Sequence, residues 1–203
     1  MTTTIAHILG PGGAGKSTVG ALLSTNFGIP VVDLDIYFIE NVGDISHFIR
    51  THGYVSYARK NVLNYREIVE KALVPTVVVL SSGFMTYPSD LDAGYSKLVT
   101  EISRHRLSAL LLPSFETEEC VALIVHRQLQ RSYLDCDRER EETRIRYRLP
   151  IFMGFQCKRF LSSTNPAELA IEIGAFVTAN RQFKSFTSLT APTSDQYCGR
   201  GNN

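Results

Sequence analysis

The sequence predicts an α/β protein built on a parallel sheet with helices on both faces. Short apolar runs alternate with segments of helical periodicity, which is the pattern of repeated β-α units. The run Thr76-Val77-Val78-Val79-Leu80 is β-branched and continuous, as expected of a strand buried on both faces, and Leu107 to Leu112 repeats that signature. A glycine-rich turn, Gly10 to Gly15, joins the apolar run of Ile5, Ile8 and Leu9 to a helix-like segment.

The elements follow in order. A helix from Thr18 carries Val19, Leu22 and Leu23 on one face and stops at Phe27-Gly28-Ile29-Pro30. Pro30-Val31-Val32 reads as a second short strand ending at Asp33. Between Tyr54 and Leu73, the residues Ala58, Val62, Tyr65, Val69 and Leu73 recur at helical spacing, and Pro75 stops the run. Val121, Ile124, Val125 and Leu129 form another helical stripe, with Glu116, Glu118 and Glu119 suiting the dipole at its first turn. From Arg127 to Arg148 acids and bases crowd together, a segment expected to lie outside the core. A last strand around Arg159 to Ser163 precedes Asn165-Pro166, a cap followed by proline at the first helical position. The final helix presents Leu169, Ile173, Phe176 and Val177. Residues 1–183 are expected to form one domain, and 184–203 a disordered tail rich in Ser, Thr, Pro, Gly and Asn.

With 203 residues, 44% of them apolar, the chain can bury one sizeable core. A net charge of +1 provides no global field for nucleic acid or a membrane surface. The four cysteines, Cys120, Cys136, Cys157 and Cys198, form no C-x-x-C pair and are expected as free thiols in a reducing compartment. No apolar stretch has the length of a membrane span, and because the N-terminus is expected to run straight into the first strand, no signal peptide is expected. The expectation is a cytoplasmic monomer without nucleic-acid or membrane partners.

Gly10-Pro11-Gly12-Gly13-Ala14-Gly15-Lys16-Ser17 reads as G-x-x-x-x-G-K-[ST], a phosphate-binding loop. Glycines let backbone amides wrap a phosphate chain, and the helix N-terminus adds partial positive charge. Gly12, Gly13, Ala14, Gly15, Lys16, Ser17 and Thr18 are therefore the candidate nucleotide-binding residues. Lys16 would reach the terminal phosphates and Ser17 would place a hydroxyl on Mg²⁺. Asp33 and Asp35 follow at the end of the second strand, where open parallel sheets bind ligands. On an extended segment both carboxylates would point the same way. One would hold Mg²⁺, and the other would orient a substrate hydroxyl and accept its proton. The alternative is that these acids cap the following turn. There is no N-K-x-D segment and no D-x-x-G switch after the second strand, which disfavours a GTPase. The third and fourth strands end at Ser81 and Pro113, which disfavours a motor ATPase.

Over roughly residues 4 to 180 the arrangement resembles the shikimate kinase family. The residues that carry the resemblance are Gly10 to Thr18, Asp33-Leu34-Asp35 with Ile39-Glu40, and Gly53-Tyr54 with Tyr57-Ala58-Arg59. They continue with an apolar strand ending in Ser81-Ser82-Gly83, the segment Arg127 to Arg131, and Arg148-Leu149-Pro150-Ile151-Phe152, similar to an R-x-P-L-Y box. The resemblance implies a three-layer P-loop kinase fold, a five-stranded parallel sheet in order 2-3-1-4-5, and a mobile charged lid at about 127–148. It implies transfer of the ATP γ-phosphate to the 3-hydroxyl of shikimate. Asp35 would bind the hydroxyls and act as base, and Asp33 would sit near Mg²⁺. Arg59 and Arg148 would hold the substrate carboxylate, and Arg131 would close over the ATP phosphates.

The physics of the arginines stands beside this, since guanidinium forks bind carboxylate bidentately. Pro150 is expected to mark a fixed helix end next to Arg148. Arg127 competes with Arg131 for ATP, and an ordinary solvated arginine is the alternative for each. The sequence departs from the family at Ser81-Ser82-Gly83, where the pattern has a glycine triplet; the serines either donate hydroxyls to a related substrate or narrow the pocket. Ser81 is alternatively a partner of the Mg²⁺ site. Phe84 and Met85 are expected to pack rather than bind. Arg131 also lacks the proline expected directly after it. Three readings follow: a kinase for shikimate or a close hydroxy acid, a kinase for another polyol or sugar acid such as gluconate, and a nucleotide-binding regulatory module with weak catalysis. Intact Lys16, Ser17, Asp33 and Asp35 argue against the third.

Overall fold

The structure, a computed structural model, describes residues 3–130 and 137–190, with 186–190 described by backbone alone. Five strands form one parallel sheet: β1 (Ile5–Leu9), β2 (Val31–Asp33), β3 (Thr76–Val79), β4 (Ser108–Leu112) and β5 (Lys158–Leu161). Their order is β2-β3-β1-β4-β5, as the family resemblance implies. β1 lies at the centre, with Ile8 registered on Val79 of one neighbour and Ala109 of the other.

Strand alternation builds two cores. Ala6, Ile8, Val77, Val79, Ala109 and Leu111 point to one face, where they meet α1 (Lys16–Phe27) and α8 (Pro166–Thr178) through Val19, Leu23, Leu169 and Ile173. Leu9, Val78, Leu80, Leu110 and Leu112 point to the other. That face is covered by α2 (Leu34–Asn41), α4 (Tyr54–Lys71), α5 (Tyr95–Arg104), α6 (Thr117–Leu129) and α7 (Arg138–Met153), through residues such as Phe38, Val62, Ile102, Ile124 and Leu149. α3 (Ile45–His52) and α9 (Arg181–Thr190) complete the fold. Among the described residues no helix is long and apolar enough to cross a membrane.

Several expectations need correction. The chain is not extended beyond Asp33: α2 begins at Leu34, because Asp33 Oδ1 accepts from the amides of Asp35 and Ile36 and turns the backbone into a helix. Pro150 does not end its helix. α7 runs through it to Met153 at the cost of one backbone hydrogen bond, and closes at Gly154. The charged segment is not a single surface piece either. Arg127 belongs to α6, residues 131–136 lie outside the described residues, and α7 buries Glu141, Ile145 and Leu149. At the C-terminus, α9 carries helix across 184–190, where an irregular tail is expected; 191–203 lie outside the described residues.

Candidate active site

The phosphate loop leaves β1 at Gly10 and enters α1 at Lys16, and its turn requires glycine. Gly13 and Gly15 take φ of 78° and 83°, a left-handed conformation that side chains resist. A Cβ on Gly12 would run into the Gln128 amide, so α6 packs directly on the loop. Lys16 is buried, and its Nζ donates to the carbonyls of Gly10 and Pro11 at 2.9 and 3.0 Å, folding the ammonium back along the loop. Ser17 and Thr18, in the first turn of α1, are exposed.

Cavities flank that helix start. One, of about 410 Å³, is lined by Gly13, Gly15, Thr18, Arg127, Thr164 and Pro166. Arg127 braces it, donating from Nη1 to the Gly13 carbonyl and from Nη2 to the Ser162 carbonyl. The other, of about 400 Å³, is lined by Ser17, Ser24, Asp33, Tyr37, Glu40 and Val79.

Asp33 divides its carboxylate between two jobs. Oδ1 caps α2, whereas Oδ2 is buried and has no hydrogen-bond partner. A buried anionic oxygen without a donor suits a cation, and Ser17 across the same cavity offers a hydroxyl. These residues fit Mg²⁺.

Asp35 is the second residue of α2 and meets the segment that follows β3. Its Oδ1 accepts from Ser81 Oγ at 2.5 Å and, more weakly, from the Tyr57 hydroxyl at 3.5 Å. Burial pushes its carboxyl above the usual carboxylate range; the Ser81 bond and the charge of Lys16 pull back, and Asp33 pushes in the same direction as burial. Lys16 is thus close enough to act on Asp35 electrostatically, which ties the phosphate loop to this carboxylate.

Around Asp35 stand the groups from α4, α7 and the segment after β3. Buried Asn61 donates to Ser81 Oγ at 2.8 Å and to the Tyr87 hydroxyl at 2.9 Å. Gly83 is a glycine for want of space, because a Cβ would stand 2.6 Å from the Tyr54 hydroxyl and 3.4 Å from Arg148 Nη2. Arg148 donates to that Tyr54 hydroxyl at 3.0 Å. Burial raises the Tyr57 and Tyr87 phenols, which remain neutral hydrogen-bond donors. Ser82 is half-buried in the same turn, while Phe84 and Met85 are core residues, as the sequence predicts.

Residues 12–100 match the model of the family described as shikimate kinase. A curated shikimate kinase from Psychrobacter is 36% identical over 77 residues, which is 37% of this chain and 41% of that protein. The chain resembles the shikimate kinases. Among solved structures, a shikimate kinase from Acinetobacter baumannii in complex with shikimate aligns with a TM-score of 0.62 at 18% identity, over 89% of this chain and 96% of its own. A shikimate kinase from Bacteroides thetaiotaomicron gives 0.63 at 13% identity, over 87% and 97%. At such identities the structural likeness is one of fold. The shikimate kinase family match takes in the phosphate loop from Gly12 onward, Asp33, Asp35, Arg59 and Ser81 to Gly83, and ends before Arg127 and Arg148.

The structure brings Lys16, Asp35, Ser81, Gly83 and Arg148 to one end of the sheet. Arg59 is exposed and donates from Nε to the Leu91 carbonyl. Arg131 lies outside the described residues. Sequence reasoning missed Asn61, Tyr87, Thr164 and Pro166 as site residues. Asn61 had a signal, since it is a polar residue inside the apolar stripe of Ala58, Val62 and Tyr65.

Proposed function

We propose that the protein is an ATP-dependent kinase that transfers the γ-phosphoryl group to a hydroxyl of a small hydroxy acid, with shikimate as the acceptor. The observation that carries this reading is the position of Asp35, a half-buried carboxylate within electrostatic reach of Lys16 and hydrogen-bonded to the turn after β3. The match of residues 12–100 to shikimate kinase supports the choice of acceptor.

In this mechanism the ATP triphosphate lies along Gly12 to Thr18, with Lys16 leaving its loop carbonyls for the β- and γ-phosphates. The base end occupies the cavity between Arg127 and Pro166. Ser17 and Asp33 Oδ2 would hold Mg²⁺, which supplies charge neutralisation across the β- and γ-phosphates when bound. Asp35 accepts the acceptor's hydroxyl proton as the new O–P bond forms and the bond to ADP breaks. Its raised basicity suits that role. Arg148, anchored by Tyr54 beside Gly83, offers the rest of its guanidinium to the acceptor carboxylate, and Arg59 would be its second cationic partner once released from the Leu91 carbonyl. Arg131, which lies outside the described residues, keeps its assignment to the ATP phosphates in this reading. A cytoplasmic location and a monomeric state belong to the same reading, and the free buried thiols of Cys120 and Cys157 support the location.

The test is ADP release from Mg-ATP across shikimate, quinate, gluconate and nucleoside monophosphates. Shikimate-dependent release is expected. Release only with gluconate or another acceptor would replace the acceptor assignment, and ATP binding with no release on any acceptor would indicate a binding module.

A further inference from the structure

Ser81 stands where it can either touch the acceptor or act on Asp35. It is 4% exposed, and its hydroxyl proton is committed to Asp35 Oδ1 at 2.5 Å. Its oxygen in turn receives the Asn61 Nδ2 proton at 2.8 Å. Asn61 is fully buried on α4, and a second bond to Tyr87 holds its amide plane. An amide on a helix, a hydroxyl on the turn after β3 and a carboxylate on α2 therefore form a directed chain, Asn61 to Ser81 to Asp35. Among the described residues Asp35 Oδ2 takes no part in it. A carboxylate on two rotatable bonds that is gripped through one oxygen presents the other in a fixed direction.

We propose that Ser81, backed by Asn61, is a positioning residue that holds the Asp35 carboxylate so that Oδ2 faces the acceptor hydroxyl. This rests on the reading of Asp35 as the base. A base must meet its proton within hydrogen-bond distance, and an error of about 1 Å costs on the order of 100-fold in rate. Ser81 is thus not an acceptor contact. Its side chain, in place of a bare backbone, brings Asp35 under the control of α4.

The experiment compares Ser81→Ala, Ser81→Thr and Asn61→Ala with the unaltered enzyme in steady-state kinetics with Mg-ATP and shikimate, and in crystal structures. Ser81→Ala should lower kcat roughly 10- to 100-fold with the shikimate KM within about 3-fold. Ser81→Thr, which keeps the hydroxyl, should recover most of kcat, and Asn61→Ala should reproduce the Ser81→Ala loss. In the crystal the Asp35 carboxylate should take more than one orientation in Ser81→Ala and a single one in Ser81→Thr. A shikimate KM that rises while kcat holds would make Ser81 an acceptor contact and overturn the proposal. So would a single, unchanged Asp35 orientation in Ser81→Ala. An unaltered enzyme inactive on shikimate would sink the acceptor assignment, and the crystallographic arm would then decide the positioning role by itself.

Discussion

Gly83 leaves no room for a side chain on the proposed acceptor side of the site. Its missing Cβ would lie 2.6 Å from the Tyr54 hydroxyl, 3.1 Å from the Tyr87 ring and 3.4 Å from Arg148 Nη2. Its φ of −93° suits any residue, so the glycine is required by the neighbours and not by the backbone. Gly83→Ala should push Tyr54 and Arg148 aside and raise the acceptor KM by roughly tenfold, about 1.4 kcal/mol, while the ATP KM stays unchanged. Initial rates over both substrate concentrations check this. Equal rises in both KM values would show that the change spreads to the phosphate loop. The sequence makes Gly83 visible as part of a glycine-poor version of a triplet, but not the reason for it, because Tyr54 and Arg148 are 94 residues apart and meet only in the fold.

At the scale of elements, the regular apolar stripes of α1, α4 and α8 were legible, because buried positions recur every three or four residues. α2 was not. Its eight residues are too few to show a period, and its start depends on one side chain, Asp33, turning back onto the backbone. The reading of both acids on an extended strand failed for that reason, and the alternative of a capping acid holds for Asp33. The two jobs of Asp33 can be separated. Asp33→Asn keeps an oxygen for the cap and should change unfolding stability by less than about 0.5 kcal/mol, whereas Asp33→Ala should cost about 1 kcal/mol. Both should lower turnover strongly, since both remove the charge at Oδ2. Urea unfolding set beside Mg²⁺-dependent kinetics measures the two effects, and full activity in Asp33→Asn would remove Asp33 from the metal site. Pro150 carries a similar lesson: with the rest of α7 packed on the core, a single missing amide does not stop a helix.

For the whole molecule, the sheet order was legible through the ordered series of motifs, and stability hinges on a group those motifs do not contain. His7 lies in the central strand, buried, with Nε2 2.8 Å from the Tyr65 hydroxyl and Nδ1 3.2 Å from Ser108 Oγ. Burial, helped by the neighbouring His105, lowers its pKa from 6.5 to about 3. The native ring is neutral where the unfolded ring takes a proton. Its contribution is therefore complete above pH 6.5 and lost as pH falls from 6.5 towards 3. Over that window unfolding stability should fall by about 1.4 kcal/mol per pH unit from this group. Denaturant midpoints at successive pH values test it, and the same slope in His7→Gln would assign the acid sensitivity elsewhere.

In the proposed mechanism Asp35 and the phosphate loop make one phosphoryl-transfer site. The most direct measurement is mass spectrometry of the products formed from Mg-ATP and shikimate by the unaltered enzyme and by Asp35→Asn. Phosphorylated shikimate is expected from the first and, in Asp35→Asn, a rate lower by at least roughly 100-fold with ATP binding retained. Phosphorylated shikimate formed at an undiminished rate by Asp35→Asn would contradict it.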